Sequence, residues 1–386
     1  MNLKQLNRKD IVMPDYDSCI LNTITSILKH YNVKTTHSSN KKLDDILKKD
    51  YRNVVLIILD GMGDYVLKNL SSDGYFYKNK LDTVTSVYPS TTTAALTSYY
   101  SGKSPYETAW IAWSQYFKEY GRYLDMFKQT DSYTEESYKS KINVFESVIN
   151  YETIFDQIEK AGFNAYELVP SYSIKRSKKS MRCDNLDELI NGIDTLSKTN
   201  DKKFIFAYSD NPDNLLHKYG TESDYCKKFI CTAEEKIAKM VANLEDTLVI
   251  ISADHGHKNI EKVYTISDKS DLFDCLIMPP SLESRCVSFW VKEDKKDTFT
   301  NLFKKYFQDD FILLTKEEFL ENKFLGAGVK HKKIDDFIGN YIALSISSSM
   351  IRIENYFFEG KQVKKSTHCG LTKEEMMVPV IVIEKD

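Results

Sequence analysis

The run VVLIIL at residues 54–59 is apolar throughout and ends on Asp60 and Gly61. Polar residues bound it on both sides. Such a run suits a strand covered on both faces, as in the middle of a parallel sheet. FIFAYSD at 204–210 and TLVIISADHGH at 247–257 have the same form, the second ending in Asp254 and His255. NYIALSIS at 340–347 and VPVIVIE at 378–384 are expected to complete the sheet. Between these runs the periodicity turns helical: at 17–31, at TTAALTSYYSG (92–102) with a glycine to end it, and over 222–244. Strands alternating with helices predict an α/β fold with a largely parallel central sheet and helices on both faces.

One large α/β domain over residues 1–386 accommodates this pattern. Two stretches fit it poorly. Residues 114–200 are rich in Tyr, Lys and Ser, and residues 262–337 are rich in charge. Both are expected to be cap insertions over the core. The net charge is −3 with Lys and Arg dispersed, so no basic face for duplex nucleic acid or a membrane surface is expected. The seven cysteines are irregularly spaced and contain no C-x-x-C, which argues against a disulfide framework or a thiolate zinc site. The N-terminus lacks the apolar core of a signal peptide, and the longest apolar run is too short to span a bilayer. A cytoplasmic protein is expected; its oligomeric state is not legible.

Sheets of this kind bind ligands beyond the carboxyl ends of their strands, where Asp60, Asp254 and His255 fall. Asp213 and His217 in NPDNLLHKYG share a helix face at i and i+4, so one metal can take both. His368 precedes a helix start at which Thr372 and Glu375 fit a Thr-x-x-Glu capping box. Carboxylate and imidazole ligands without thiolate suit zinc, manganese or a related divalent ion. In VYPSTTTAALTSYYSG a helix begins near Thr92. A hydroxyl there meets the positive end of the helix dipole, and a metal can lower its pKa, so Thr92 is the candidate nucleophile.

Each feature also has a plainer reading. An aspartate after a strand is commonly a turn residue, a threonine run commonly caps a helix, and Asp213 with His217 can be a solvated face. His257 either faces substrate or closes its loop. Tyr88, Trp110, Trp113 and Tyr116 form either an aromatic base pocket or core under a cap. His30, His37 and His331 read as surface or structural, and Lys103 as a solvated helix end.

Five motifs in order resemble the alkaline phosphatase superfamily, in its type I phosphodiesterase and nucleotide pyrophosphatase branch: LDGMG, YPSTTTAALTSYYSG, NPDNLLHKYG, ADHGH and THCGLTKEEMMVP. The resemblance spans residues 60–368. It implies two divalent metals, one held by Asp60, Thr92, Asp254 and His255, the other by Asp213, His217 and His368. It implies zinc, or alternatively manganese, a phosphothreonine at Thr92, and a small phosphorylated substrate such as a nucleotide. The family's phosphate-holding Asn falls at Trp113 here, and its His-Gly falls at Thr108 and Ala109. Trp113 and His257 are the candidate substrate contacts. A phosphomonoesterase, and a catalytically idle metal-binding protein, are the competing expectations.

Overall fold

The computed structural model describes residues 3–137, 147–352 and 363–386. All seven residues of the strand Asn53–Leu59 are buried. It lies mid-sheet, parallel to Lys203–Ser209 on one side and to Thr247–Ser252 on the other, with Val54 opposite Phe204 and Leu248. Outward from Lys203–Ser209 come Asn164–Val169 and Ser180–Arg182, also parallel. Beyond Thr247–Ser252 come the final strand Met377–Lys385 and then Lys80–Thr85, joined to each other and to the sheet in antiparallel fashion.

Helices flank this sheet in two groups. Ile20–His30, Thr92–Ser101 and Ile154–Lys160 pack together, as do Asp64–Ser71, Leu186–Ser197 and Asp224–Val241. Ile20, Ile24, Ile27 and Leu28 form the buried stripe that the helical spacing predicts. Gly102 ends the helix Thr92–Ser101 at φ 67°, a left-handed conformation that glycine adopts without strain.

Two expectations are corrected. The stretch 114–200 is not one insertion. Ser114–Phe117, Arg122–Asp125 and Thr130–Asp131 join a second sheet, whereas Asn164–Val169 and Ser180–Arg182 belong to the main one; residues 138–146 lie outside the described residues. These outer strands keep part-exposed residues such as Asn164 and Tyr166, so they lack the unbroken apolar run of a central strand. The run NYIALSIS is also misplaced: Tyr341–Ser345 sits in the second sheet, antiparallel to Cys286–Phe289 and Phe311–Thr315.

That second sheet has seven strands and takes most of its middle from residues 281–345. Successive residues of Phe311–Thr315 alternate between two apolar clusters, Ile312 and Leu314 in one, Phe311 and Leu313 in the other. Both faces are buried. A strand there therefore reads as apolar throughout, just as one in the main sheet does. Among the described residues no helix is long and apolar enough to cross a membrane.

Candidate metal centre

Asp60 follows the last residue of its strand, and Asp254 stands two residues beyond Ser252. The parallel register therefore carries both to one edge of the sheet. Glycines let the surrounding loops close. A Cβ on Gly63 would stand 2.4 Å from the Gly256 Cα, and one on Gly256 would stand 2.0 Å from the Glu374 carbonyl oxygen. This is the physical requirement behind the glycines of LDGMG and DHGH.

His255 Nε2 is the centre of the first group. Thr92 Oγ1 lies 3.3 Å from it, Asp254 Oδ2 3.3 Å and Asp60 Oδ1 3.5 Å. Asp254 Oδ1 accepts the backbone N–H groups of Gly61 and His255, both at 3.0 Å, which turns Oδ2 towards the group. The Tyr208 hydroxyl donates to Asp60 Oδ2. The remaining oxygens, Asp60 Oδ1 and Asp254 Oδ2, are buried with no hydrogen-bond partner. A buried, unpartnered carboxylate oxygen is costly unless a cation meets it, so the donor set fits a metal.

The second group gathers on Asp213. The helix Asp213–Tyr219 places His217 Nε2 3.4 Å from Asp213 Oδ2, as the i, i+4 spacing predicts. His368 Nε2 lies 3.9 Å from Asp213 Oδ1. His257 Nε2 lies 2.6 Å from the same oxygen, which places it within this group. Ligand atoms of Asp213, His217, His257 and His368 all fall within 4.8 Å of one another, as do those of Asp60, Asp213 and His255. Asp213 belongs to both sets.

The histidines are oriented from behind. His217 Nδ1 donates to the Ser366 carbonyl at 2.7 Å, His368 Nδ1 to the Ser90 carbonyl at 3.0 Å, and His255 Nδ1 to the Gly256 carbonyl at 3.1 Å. A carbonyl only accepts, so the proton sits on Nδ1 and the Nε2 lone pair faces the cluster. Burial favours the neutral imidazoles. It pushes His217 down to about 3, against the pull of Asp213, and lowers His257 and His368 as well. Burial and the neighbouring Asp254 and Asp213 charges raise Asp60 far above the ordinary carboxylate range. The Asp60 shift marks a site short of positive charge.

Thr92 is the first residue of its helix, after Thr91 in extended conformation. Sequence reasoning missed the carboxylate beside it. Glu283, from the second sheet, accepts Thr91 Oγ1–H at 2.8 Å and the Trp113 backbone N–H at 2.6 Å. Trp113 itself lines a cavity of about 370 Å³ with Tyr123, Tyr133 and Glu283. Of the other aromatics, Tyr88 and Trp110 are core, and Tyr116 packs on Tyr123 and Trp290. His37 pairs with Glu107, His30 bonds the Leu47 carbonyl, and Lys103 is exposed at a helix end.

Glu375 was also misjudged. The Thr372 hydroxyl donates to it at 2.6 Å instead of accepting from the helix, so no capping box forms. Its carboxylate takes Arg285 Nε at 2.6 Å and Nη2 at 2.7 Å, with Gly370 N–H at 2.7 Å. Its own carbonyl accepts Gly256 N–H at 2.8 Å. The pair thus ties the second sheet to the loops bearing His255, His257 and His368. The one signal for Tyr208 was a hydroxyl inside an apolar strand. Glu283 and Arg285 had none.

No curated protein sequence matches the chain. In structure it is similar to mouse ectonucleotide pyrophosphatase/phosphodiesterase 5, at 16% identity and a TM-score of 0.61 over 85% of this chain and 87% of that one. An inactive variant of the mouse protein, with one threonine replaced by alanine, was solved with AMP and is similar at 15% identity and a TM-score of 0.60, over 85% and 87%. Phosphonoacetate hydrolase of Sinorhizobium meliloti 1021, solved with phosphonoacetate, is similar at 14% identity and a TM-score of 0.63, over 91% and 92%. A family model described as type I phosphodiesterase/nucleotide pyrophosphatase matches residues 54–274, which hold the strand before Asp60, the Thr92 helix, the Asp213–His217 turn and the Asp254–His255 pair. The chain belongs to this family of phosphoric ester hydrolases, in the alkaline phosphatase superfamily.

Proposed function

We propose that Thr92 is the nucleophile of a two-metal phosphodiesterase. The supporting observation is the set of oxygens around His255 Nε2: Thr92 Oγ1 at 3.3 Å beside two buried carboxylate oxygens that lack any other partner. Asp60, Thr92, Asp254 and His255 would hold one divalent ion, and Asp213, His217, His257 and His368 the other. Asp213 lies within reach of both groups. When bound, such ions polarise phosphoryl oxygens and lower the pKa of hydroxyl and water ligands.

The chain supplies the rest. The helix start at Thr92 turns its dipole towards charge developing on phosphorus. Glu283 fixes the preceding Thr91 and so the approach of Oγ1. Thr92 Oγ bonds to phosphorus as the leaving-group oxygen departs. Water then adds to phosphorus as the Thr92 Oγ–P bond breaks. Loss of activity in the mouse neighbour on replacing one threonine by alanine agrees with this reading.

The oxygen and imidazole ligand set suits zinc, with manganese next. The substrate is a small phosphorylated molecule, since neighbours take AMP and phosphonoacetate. The Trp113 cavity is offered for its organic part. The free cysteines suit a reducing, cytoplasmic setting. The test is turnover of bis-p-nitrophenyl phosphate and nucleotide diesters by zinc- or manganese-loaded protein, with trapping of phosphate on Thr92. No diester cleavage and no phosphothreonine would sink the reading.

A further inference from the structure

One cation reaches the metal centre from a segment outside the five motifs. Lys364 Nζ donates to His217 Nε2 at 2.9 Å. That is the lone pair a metal would take, and an ammonium and a divalent ion cannot share it. On metal loading Nζ must swing aside, but its root is tethered. The Lys365 N–H donates to the His217 carbonyl at 2.8 Å. Ser366–Thr367 then pairs with Lys258–Asn259. The tether holds the root of the four-carbon stem beside His217 and keeps Nζ within reach of the centre. The ammonium acts electrostatically on His257 and Glu283 as well as on His217.

Charge counting gives Lys364 a use. Three carboxylates, four neutral imidazoles and two divalent ions leave one positive charge, which an ionised Thr92 cancels. A diester adds one negative charge to this centre, and a monoester dianion adds two. The Thr91 hydroxyl and the Trp113 N–H, donors next to the nucleophile turn, are both engaged by Glu283. We propose, resting on the two-metal reading above, that Lys364 binds the additional anionic oxygen of phosphomonoesters and that the centre hydrolyses these dianions as well as diesters. The bonds are those of the diester reaction: Thr92 Oγ–P forms as the ester P–O bond breaks, then water displaces Thr92. The alcohol takes up one proton, and inorganic phosphate leaves.

The test compares the metal-loaded wild type with Lys364→Gln and Lys364→Arg on p-nitrophenyl phosphate and bis-p-nitrophenyl phosphate. Lys364→Gln should lower kcat/KM for the monoester by about tenfold or more, and by at least about fivefold more than for the diester, the size of a lost charge-assisted hydrogen bond. Lys364→Arg should restore most of the difference. Calorimetry of inorganic phosphate on metal-loaded Thr92→Ala should show about tenfold weaker binding when Lys364→Gln is added, at unchanged metal content. Equal losses on both substrates, no loss, or a wild type that cleaves diesters alone would overturn the proposal. A wild type that cleaves neither overturns the phosphodiesterase reading instead, and the phosphate calorimetry still decides on Lys364.

Discussion

At the residue scale the centre depends on individual atoms. Thr92→Ala removes the oxygen proposed to attack and leaves His255, Asp60 and Asp254 in place. Turnover should fall by about 10²-fold or more, with metal content by elemental analysis retained. Loss of metal along with activity would make Thr92 chiefly a ligand. Tyr208→Phe removes the donor to Asp60 Oδ2 and keeps the ring in the core. Metal affinity should drop by about tenfold, the lower end for loss of a group that orients a ligand, as read in a chelator competition. A Tyr208→Phe protein that binds metal as tightly as the wild type would show that Asp60 needs no such support. Thr92, Asp60 and Asp254 were legible because each stands at a strand end or helix start whose chemistry is local. Tyr208 was not, since its partner is 148 positions away in sequence.

At the element scale the question is what holds the loops. Arg285 and Glu375 are both fully buried, and Arg285 also donates to the Ser349 carbonyl at 2.6 Å and the Ser347 carbonyl at 2.7 Å. Arg285→Met would leave the Glu375 carboxylate buried without its cation, which costs about 3–5 kcal/mol. Urea unfolding should show that loss, and it should shrink in Arg285→Met with Glu375→Leu, where no charge is stranded. Equal destabilisation by the single and the double variant would mean that packing, not charge, is what the pair supplies. Gly256→Ala sets a methyl group against the Glu374 backbone at 2.0 Å, a contact that only backbone movement relieves. The expected outcome is loss of metal binding even where folded protein is recovered, seen by calorimetry with zinc. The three central strands could be read from their apolar runs, and the Asp213–His217 pair from its i, i+4 spacing. Asn164–Val169 could not, because it keeps part-exposed residues that break the apolar run.

At the scale of the whole molecule, the two-metal reading couples metal to fold. Asp60, Asp213 and Asp254 crowd one end of the sheet, and in Asp60 burial and the neighbouring negative charges oppose ionisation. Ions that bind only the folded chain stabilise it by mass action, about 4 kcal/mol at a thousandfold excess over Kd. Stripping with a chelator should lower Tm by several degrees, and zinc should restore it. A chelator-insensitive Tm would count against resident metal. The second sheet shares in this coupling through Glu283 and Arg285, so damage to it should reach the centre as well as the core.

The amino-acid sequence determined the α/β class, the central strands and seven of the residues gathered at the candidate metal centre: Asp60, Thr92, Asp213, His217, Asp254, His255 and His368. Their signals are local, a strand end, a helix start or an i, i+4 pair, and the five motifs recur in chain order. The tertiary structure decided what depends on contacts distant in the chain. It assigned Tyr341–Ser345 to the second sheet and Asn164–Val169 to the first, because an apolar run reports burial and not which sheet supplies it. It set His257 on Asp213, 44 positions away, brought Glu283 beside Thr91 and Lys364 onto His217, and joined Arg285 to Glu375, with Glu283, Lys364 and Arg285 drawn from segments whose sequence carries no catalytic signature. Folding alone can express such pairings, since a side chain has no spacing rule for a partner on another sheet.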